Sequence, residues 1–311
     1  MFTKEEMEER KNYIGASEAA QVLGKSRWGT PLSLWAEKTG AMEPKEIGDK
    51  LYVKLGVKLE QAVAELFTEL TGKKVHKVNE AFVHKQHPFI RCHIDRKVEG
   101  ERSILQCKTA SAFKSKEWDG EEIPEEYEIQ EHHELACSGY DRAYIACLIG
   151  NQKVALKVIE RDAAKINYVI SREVSFWKEF VEPKIMPTLG FVKSKDTETL
   201  LGLYPSGDDG LGEVALPDEA DALLESLEGL KADSKLMEKS KKEIEAKIQY
   251  LLGKNVFGRS NNFLVKWSNM EQRRVDSDRM KEDAPELFEK FAKVIKMRRF
   301  DPRRIQVTEA K

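Results

Sequence analysis

Between positions 87 and 110 the chain reads HPFIRCHIDRKVEGERSILQCKTA, and Asp95, Gln106 and Lys108 within it have the chemistry for cutting a phosphodiester. Ile90, Cys92 and Ile94 alternate with Arg91, His93 and Asp95, the period of a strand with one apolar face. Beyond a turn at Glu99-Gly100-Glu101, Leu105 and Cys107 fall on one face, while Ile104, Gln106 and Lys108 fall on the other. An antiparallel hairpin of these two runs sets Asp95, Gln106 and Lys108 together on its polar side. A carboxylate and an amide oxygen suit a hard cation such as Mg²⁺. A lysine beside them steadies developing charge or positions an attacking water. A half-exposed hairpin with ordinary surface charge accounts for the same pattern equally well.

The elements that must position these residues follow from the flanking patterns. Residues 50–71 have a helical stripe of Val63, Ala64, Phe67 and Leu70, and Glu60 falls on the side of Val63 and Phe67. An inward carboxylate is costly unless it is paired or holds a metal, which favours a place for Glu60 near the hairpin over a solvent-reaching edge. Residues 4–12 read as a charged helix. Ser17 then reads as the N-cap of a helix over 18–23 closed by Gly24. Arg10 just upstream makes that N-terminus a possible phosphate cradle, although a plain capped helix is the simpler reading. Thr30-Pro31 opens another helix, through Lys38, that ends at Gly40. Residues 73–82 suit a strand, and 109–124 are polar and irregular, with Trp118 exposed or docked on a partner. Residues 127–139 predict a helix with Gln130, His133 and Cys137 on one stripe. There Gln130 either touches a phosphate or water, or is a half-buried amide. Strands over 143–149 and 154–159 flank a Gly150-Asn151 turn, and a long amphipathic helix spans 162–180.

With 311 residues and a formal net charge of −2, the chain has no overall field attracting nucleic acid, so any basic DNA-facing surface must be local. Cys92, Cys107, Cys137 and Cys147 form no CxxC pair and read as small buried hydrophobes in a reducing compartment. The histidines lack zinc-site spacing. The start, Met-Phe-Thr-Lys-Glu-Glu, is unlike a signal peptide, and no apolar run is long enough for a bilayer, so a cytoplasmic protein is expected. The expected organisation is a core over 1–182, a linker or irregular wrap over 183–217 and a helical appendage over 218–311. Within the appendage, 220–252 is a charged helix with a narrow leucine stripe, 263–267 a short strand and 284–296 a helix. Arg298, Arg299, Arg303 and Arg304 make the end basic.

Five motifs in order give the chain a family likeness over residues 10–177. They are IGASEAAQVLGKSRWGTPLSLWAEKTG, LGVKLEQAVAELF, HPFIRCHIDR, ILQCKTA and IPEEYEIQEHHELACSGYDRAYIACLIG. The chain resembles the YqaJ-like viral recombinases, relatives of the phage lambda exonuclease in the PD-(D/E)XK nuclease superfamily. The segment after Asp218 resembles the C-terminal extension of Gram-positive phage members. The resemblance implies a restriction-endonuclease-like α/β (α+β) core with a mixed central sheet flanked by helices. It assigns metal binding to Asp95, catalysis to Lys108, metal or water support to Glu60 and a carbonyl ligand to Cys107. Arg10 and Ser17 take the place of a 5′-phosphate pocket, and Gln130 that of a glutamine near the scissile group. One position departs: Gln106 stands where the family carries Glu, and an amide brings no charge to Mg²⁺, so metal affinity is expected to fall unless Glu60, Glu99 or Glu101 compensates. The expected activity is Mg²⁺-dependent (Mn²⁺ substituting) 5′-to-3′ degradation of linear duplex DNA. The 3′ strand left behind would go to a single-strand annealing protein, and relatives form rings around DNA. Competing readings are a structure-specific endonuclease with the same site, a DNA-end-binding protein weakened at Gln106, and an assembly protein working through its helical arm.

Overall fold

The computed structural model describes residues 8–44, 47–293, 300 and 302, and the chain divides into two compact units, Met1–Pro205 and Ser206–Lys311. The first unit opens with β1 (Ile14–Gly15), α1 (Ala16–Val22), α2 (Pro31–Thr39) and α3 (Leu51–Thr71). Thr30 caps α2 by accepting from the Ser33 N–H, and left-handed Gly40 (φ 74°) closes it. Short strands β2 (Val75–Lys77), β3 (Phe82–Val83), β4 (Ile90–Cys92) and β5 (Arg96–Val98) precede β6 (Ser103–Ala110). A tight helical turn over Ala112–Trp118 leads to α4 (Glu125–Ser138), β7 (Arg142–Ile149), β8 (Lys153–Glu160) and α5 (Ala163–Phe176). Gly150 (φ 51°) and Asn151 (φ 58°) both take positive φ in the three-residue turn over 150–152 that joins β7 to β8, where the Gln152 N–H donates to the Ile149 carbonyl.

Five strands form a mixed sheet in the order β2-β5-β6-β7-β8, in which β6 runs parallel to β7 and the other pairs are antiparallel. A second sheet orders β1-β4-β3. Alternation along the strands divides the core. Leu105, Tyr144 and Ala146 pack with Val63, Ala64 and Phe67 of α3 on one face. Ile104, Ile145 and Cys147 pack with Leu135 of α4 and Ile166 and Ile170 of α5 on the other.

Several expectations change at this point. The run through Ile90, Cys92 and Ile94 is apolar and buried as expected, but it is not one strand: β4 belongs to the small sheet and β5 to the large one. The hairpin is therefore β5–β6, turning at Gly100 (φ 71°). Residues 73–82 likewise split between β2 and β3, in different sheets. Ser17 is not an N-cap, because Gly15 occupies that position and Ser17 lies exposed inside α1. Leu70 is exposed, having rotated off the α3 stripe. Trp118 is buried and stacks on Tyr127 at 5.4 Å between ring centroids, so it is a core residue. Of the two alternatives for 183–217, residues 183–205 wrap on the core instead of linking: Met186, Phe191, Val192 and Leu200 pack on the first unit's core, and α6 (Asp196–Leu203) is tied to α2 by Asp196 and Thr30.

The second unit holds α7 (Glu219–Leu252), with Leu223, Leu230, Leu236 and Ile244 exposed along it. The hairpin β9 (Phe257–Arg259) and β10 (Leu264–Lys266) follows, then α8 (Ser277–Asp283) and α9 (Pro285–Phe291). The expected arginines at 298, 299, 303 and 304 lie outside the described residues. No helix among the described residues is long and apolar enough to cross a membrane.

Candidate active site

The β5–β6 register pairs Arg96 with Leu105 and Lys97 with Ile104, so one step further Asp95 faces Gln106 across the hairpin. Asp95 lies where the chain passes from the small sheet to the large one. Its Oδ2 accepts the Cys107 N–H at 2.8 Å, which fixes the carboxylate against the strand that carries Gln106 and Lys108. Burial raises the Asp95 carboxyl above its usual range, although the Cys107 N–H and the Lys108 ammonium pull the other way. Gln106 is buried, and its side-chain oxygen has no hydrogen-bond partner among the described residues. The Cys107 thiol is pushed up by burial and by Asp95, so it stays a neutral thiol.

Two residues further along β6, Lys108 reaches α4. Its Nζ donates to Gln130 Oε1 at 2.9 Å and lies 5.1 Å from the centre of the Tyr127 ring. Gln130 Nε2 in turn donates to Glu134 Oε1 at 2.8 Å, so the amide is oriented from both ends. Glu60 of α3 ion-pairs with Arg96 Nη1 at 2.5 Å, and the same nitrogen donates to the Asp95 carbonyl oxygen at 2.7 Å. Asp95, Gln106, Cys107, Lys108 and Gln130 are thus brought together, with Glu60 beside them through Arg96. Arg10 and Ser17 belong to another cluster at the start of α1. There Arg10 pairs with Glu18 at 2.7 Å, Lys38 pairs with Glu18 at 2.7 Å, and Ser17 is exposed. Burial would raise the Glu18 carboxyl, but Lys38 and Arg10 hold it below its usual range.

Helix α4 is polar in sequence and almost wholly buried, and it contributes residues that sequence reasoning missed. Glu131 and Glu134 are buried, and both oxygens of Glu131 and Oε2 of Glu134 lack hydrogen-bond partners among the described residues. Burial, then Asp95 nearby, pushes the Glu134 carboxyl up to about 8 against the pull of Gln130, Lys108 and His133. Burial and Glu134 likewise raise the Glu131 carboxyl well above its usual range. The helix is held by His133, whose Nδ1 lies 2.7 Å from Glu173 of α5 and whose Nε2 lies 2.9 Å from the Arg91 carbonyl oxygen. Both neighbours are acceptors, which a neutral imidazole with one N–H cannot satisfy. Burial alone would lower its pKa, but Glu173 lifts His133 well above the usual histidine range. The available sequence signal for the missed acids was Glu134 four residues after Gln130, which places the two on one helix face.

No cluster of three or more His, Cys, Asp or Glu side chains among the described residues is set to hold a metal ion. Oxygen donors are nevertheless present, the Asp95 carboxylate and the buried Gln106 oxygen that makes no hydrogen bond among the described residues, and the Cys107 carbonyl expected from the family resemblance follows Gln106 on the same strand. That set fits a hard divalent cation and does not fit zinc.

This geometry defines a class, an α/β core of PD-(D/E)XK type in which an aspartate, a Gln-X-Lys strand and a helix glutamine meet between two sheets. The core fold is that of the alkaline exonuclease LHK-Exo from Laribacter hongkongensis, which matches with a TM-score of 0.51 at 20% identity over 63% of this chain and 100% of that one. The structure of LHK-Exo in complex with dAMP matches at 0.50, also at 20% identity and with the same coverage. The chain belongs to the YqaJ-like viral recombinase family: the family's domain model matches residues 7–141. The YqaJ protein of Bacillus subtilis (strain 168) is 32% identical over 305 residues, 94% of this chain and 91% of the relative.

Proposed function

We propose that the chain is a metal-dependent deoxyribonuclease that degrades linear double-stranded DNA from its ends, 5′ to 3′. The observation that carries this reading is the junction of Asp95, Gln106 and Lys108 at one end of the β5–β6 hairpin, with Lys108 locked onto Gln130. Family membership and the fold shared with an alkaline exonuclease support it.

Asp95, the Gln106 amide oxygen and the Cys107 carbonyl would hold Mg²⁺, or Mn²⁺ in its place, with Glu60 in support. When bound, the cation supplies Lewis acidity and charge neutralisation at the scissile phosphate. Lys108 holds its ammonium where negative charge grows on the phosphoryl oxygens and steers the attacking water. Gln130 and Tyr127 keep that ammonium in place. Arg10, oriented by Glu18 beside the first turn of α1, and Ser17 would receive the 5′-terminal phosphate. Anchoring that phosphate makes each cut start from the same end, which sets polarity. The 3′ strand left behind suits a single-strand annealing protein, in recombination of phage type inside the bacterial cytoplasm. A ring of copies closing around the duplex would make the reaction processive.

Polarity is tested with duplexes labelled at one 5′ or one 3′ end, with and without a 5′ phosphate. Early release of the 5′ label, faster with a 5′ phosphate and slowed by Arg10→Ala chiefly on that substrate, is the expected result. Release of the 3′ label first, or indifference to the phosphate, contradicts the proposed anchor.

A further inference from the structure

Where the family pattern has an acid, this chain has Gln106, and the site is short of one negative charge. With the Glu60 charge offset by its pair with Arg96, Asp95 and two neutral oxygens leave a divalent cation half neutralised, an arrangement of weak affinity. The helix that holds the Lys108 partner carries a buried carboxylate with no assigned role. Glu131 of α4 is 0% exposed, and neither of its oxygens makes a hydrogen bond with a described residue. The charged groups acting on it are Glu134 on its own helix, Lys108 on β6 and Asp95 ahead of β5. A second observation points to the same place. Gln106, at 7% exposure, has a side-chain oxygen without a partner, and strand alternation puts it on the face of Lys108, which touches α4 through Gln130. Burying a carboxylate and an amide oxygen unsatisfied, each close to Lys108 or Asp95, is costly unless a cation binds both.

We propose that Glu131 supplies the charge Gln106 lacks, ligating the same divalent cation as Asp95 while Gln106 adds its neutral amide oxygen. The acid has in effect moved from the strand to the helix that faces it. Glu134 has a different task, because its Oε1 is engaged by Gln130 and so orients the Lys108 partner. The inference rests on the nuclease reading of Asp95 and Lys108.

The test is Mn²⁺ binding to the full chain without DNA, followed by electron paramagnetic resonance, alongside melting in chelator. Glu131→Gln should weaken Mn²⁺ about tenfold or more, while its melting temperature in chelator stays equal to or above that of the parent. Glu131→Gln combined with Gln106→Glu should recover the affinity. Parental affinity in Glu131→Gln, with loss in Asp95→Asn, overturns the inference and leaves the nuclease site standing. Parental affinity in both variants removes the metal site altogether. A large fall in melting temperature for Glu131→Gln in chelator marks a structural carboxyl and equally overturns the proposal.

Discussion

In the proposed reaction Lys108 is the residue on which the chemistry turns, and its neighbours decide how well it works. Gln130 Oε1 accepts from its ammonium, and Tyr127 lies beneath it. Gln130→Leu should therefore lower kcat roughly 10- to 100-fold while DNA-end affinity changes little, since a displaced charge costs transition-state stabilisation more than binding. Single-turnover digestion beside an end-binding assay separates the two. The acids nearby give a pH signature. The Glu134 carboxyl is raised to about 8, so in chelator the unfolded chain ionises it first, and stability present below the ordinary carboxylate value is lost as pH rises toward 8. Glu134→Gln should flatten that decline in urea titrations between the ordinary carboxylate value of about 4 and the raised value of about 8. Asp95, Lys108 and their spacing were legible in the sequence, because period-two alternation survives folding. Glu131 was not, since one more Glu in a helix rich in Glu looks like solvated surface until the helix is seen to be buried.

At the scale of elements, α4 matters most, because it presents Gln130, Glu131 and Glu134 to β6. The His133–Glu173 pair and the Arg91 carbonyl pin it to α5 and β4. Glu173→Gln should cost about 1–3 kcal/mol in equilibrium unfolding, the cost of a broken buried charged hydrogen bond. The raised His133 makes the pair's contribution full below the ordinary histidine pKa, to be lost as pH rises through the raised value. The variant's deficit should therefore be larger at pH 6 than at pH 9 (values on either side of the ordinary histidine pKa of about 6.5). On the opposite face of the sheet, Phe67→Ala in α3 should cost about 3–5 kcal/mol, because its ring is fully buried against Tyr144. Both strands of the hairpin were readable, but the break between β4 and β5 was not. Ile90, Cys92 and Ile94 keep one period across two sheets, and the bend at Asp95 is set by the Cys107 N–H, twelve residues away in sequence. Trp118 was misread for a similar reason: its polar neighbours suggested exposure, and only the fold brings Tyr127 against it.

At the scale of the whole molecule, a net charge of −2 means that DNA must be held by local clusters and not by a general field. End binding by Lys108→Ala should weaken steeply with salt, but by less than the roughly 10³-fold or more between about 50 and 200 mM that a protein making many phosphate contacts loses. The two units meet at Pro205, inside the segment 183–217 that reads as a linker or irregular wrap; its Pro and Gly residues do not tell the two apart, and only the packing of Met186, Phe191 and Leu200 shows that its first part completes a core. The central claim, that an end-dependent nuclease works at Asp95 and Lys108, is tested most directly by digestion in Mg²⁺. Linear duplex is incubated beside covalently closed circles, with Lys108→Ala as the control. Loss of linear DNA alone, absent in Lys108→Ala, is the predicted result. Intact linear DNA in both Mg²⁺ and Mn²⁺ would contradict it and leave a protein that binds DNA ends without cutting them, and cutting of closed circles would make it an endonuclease.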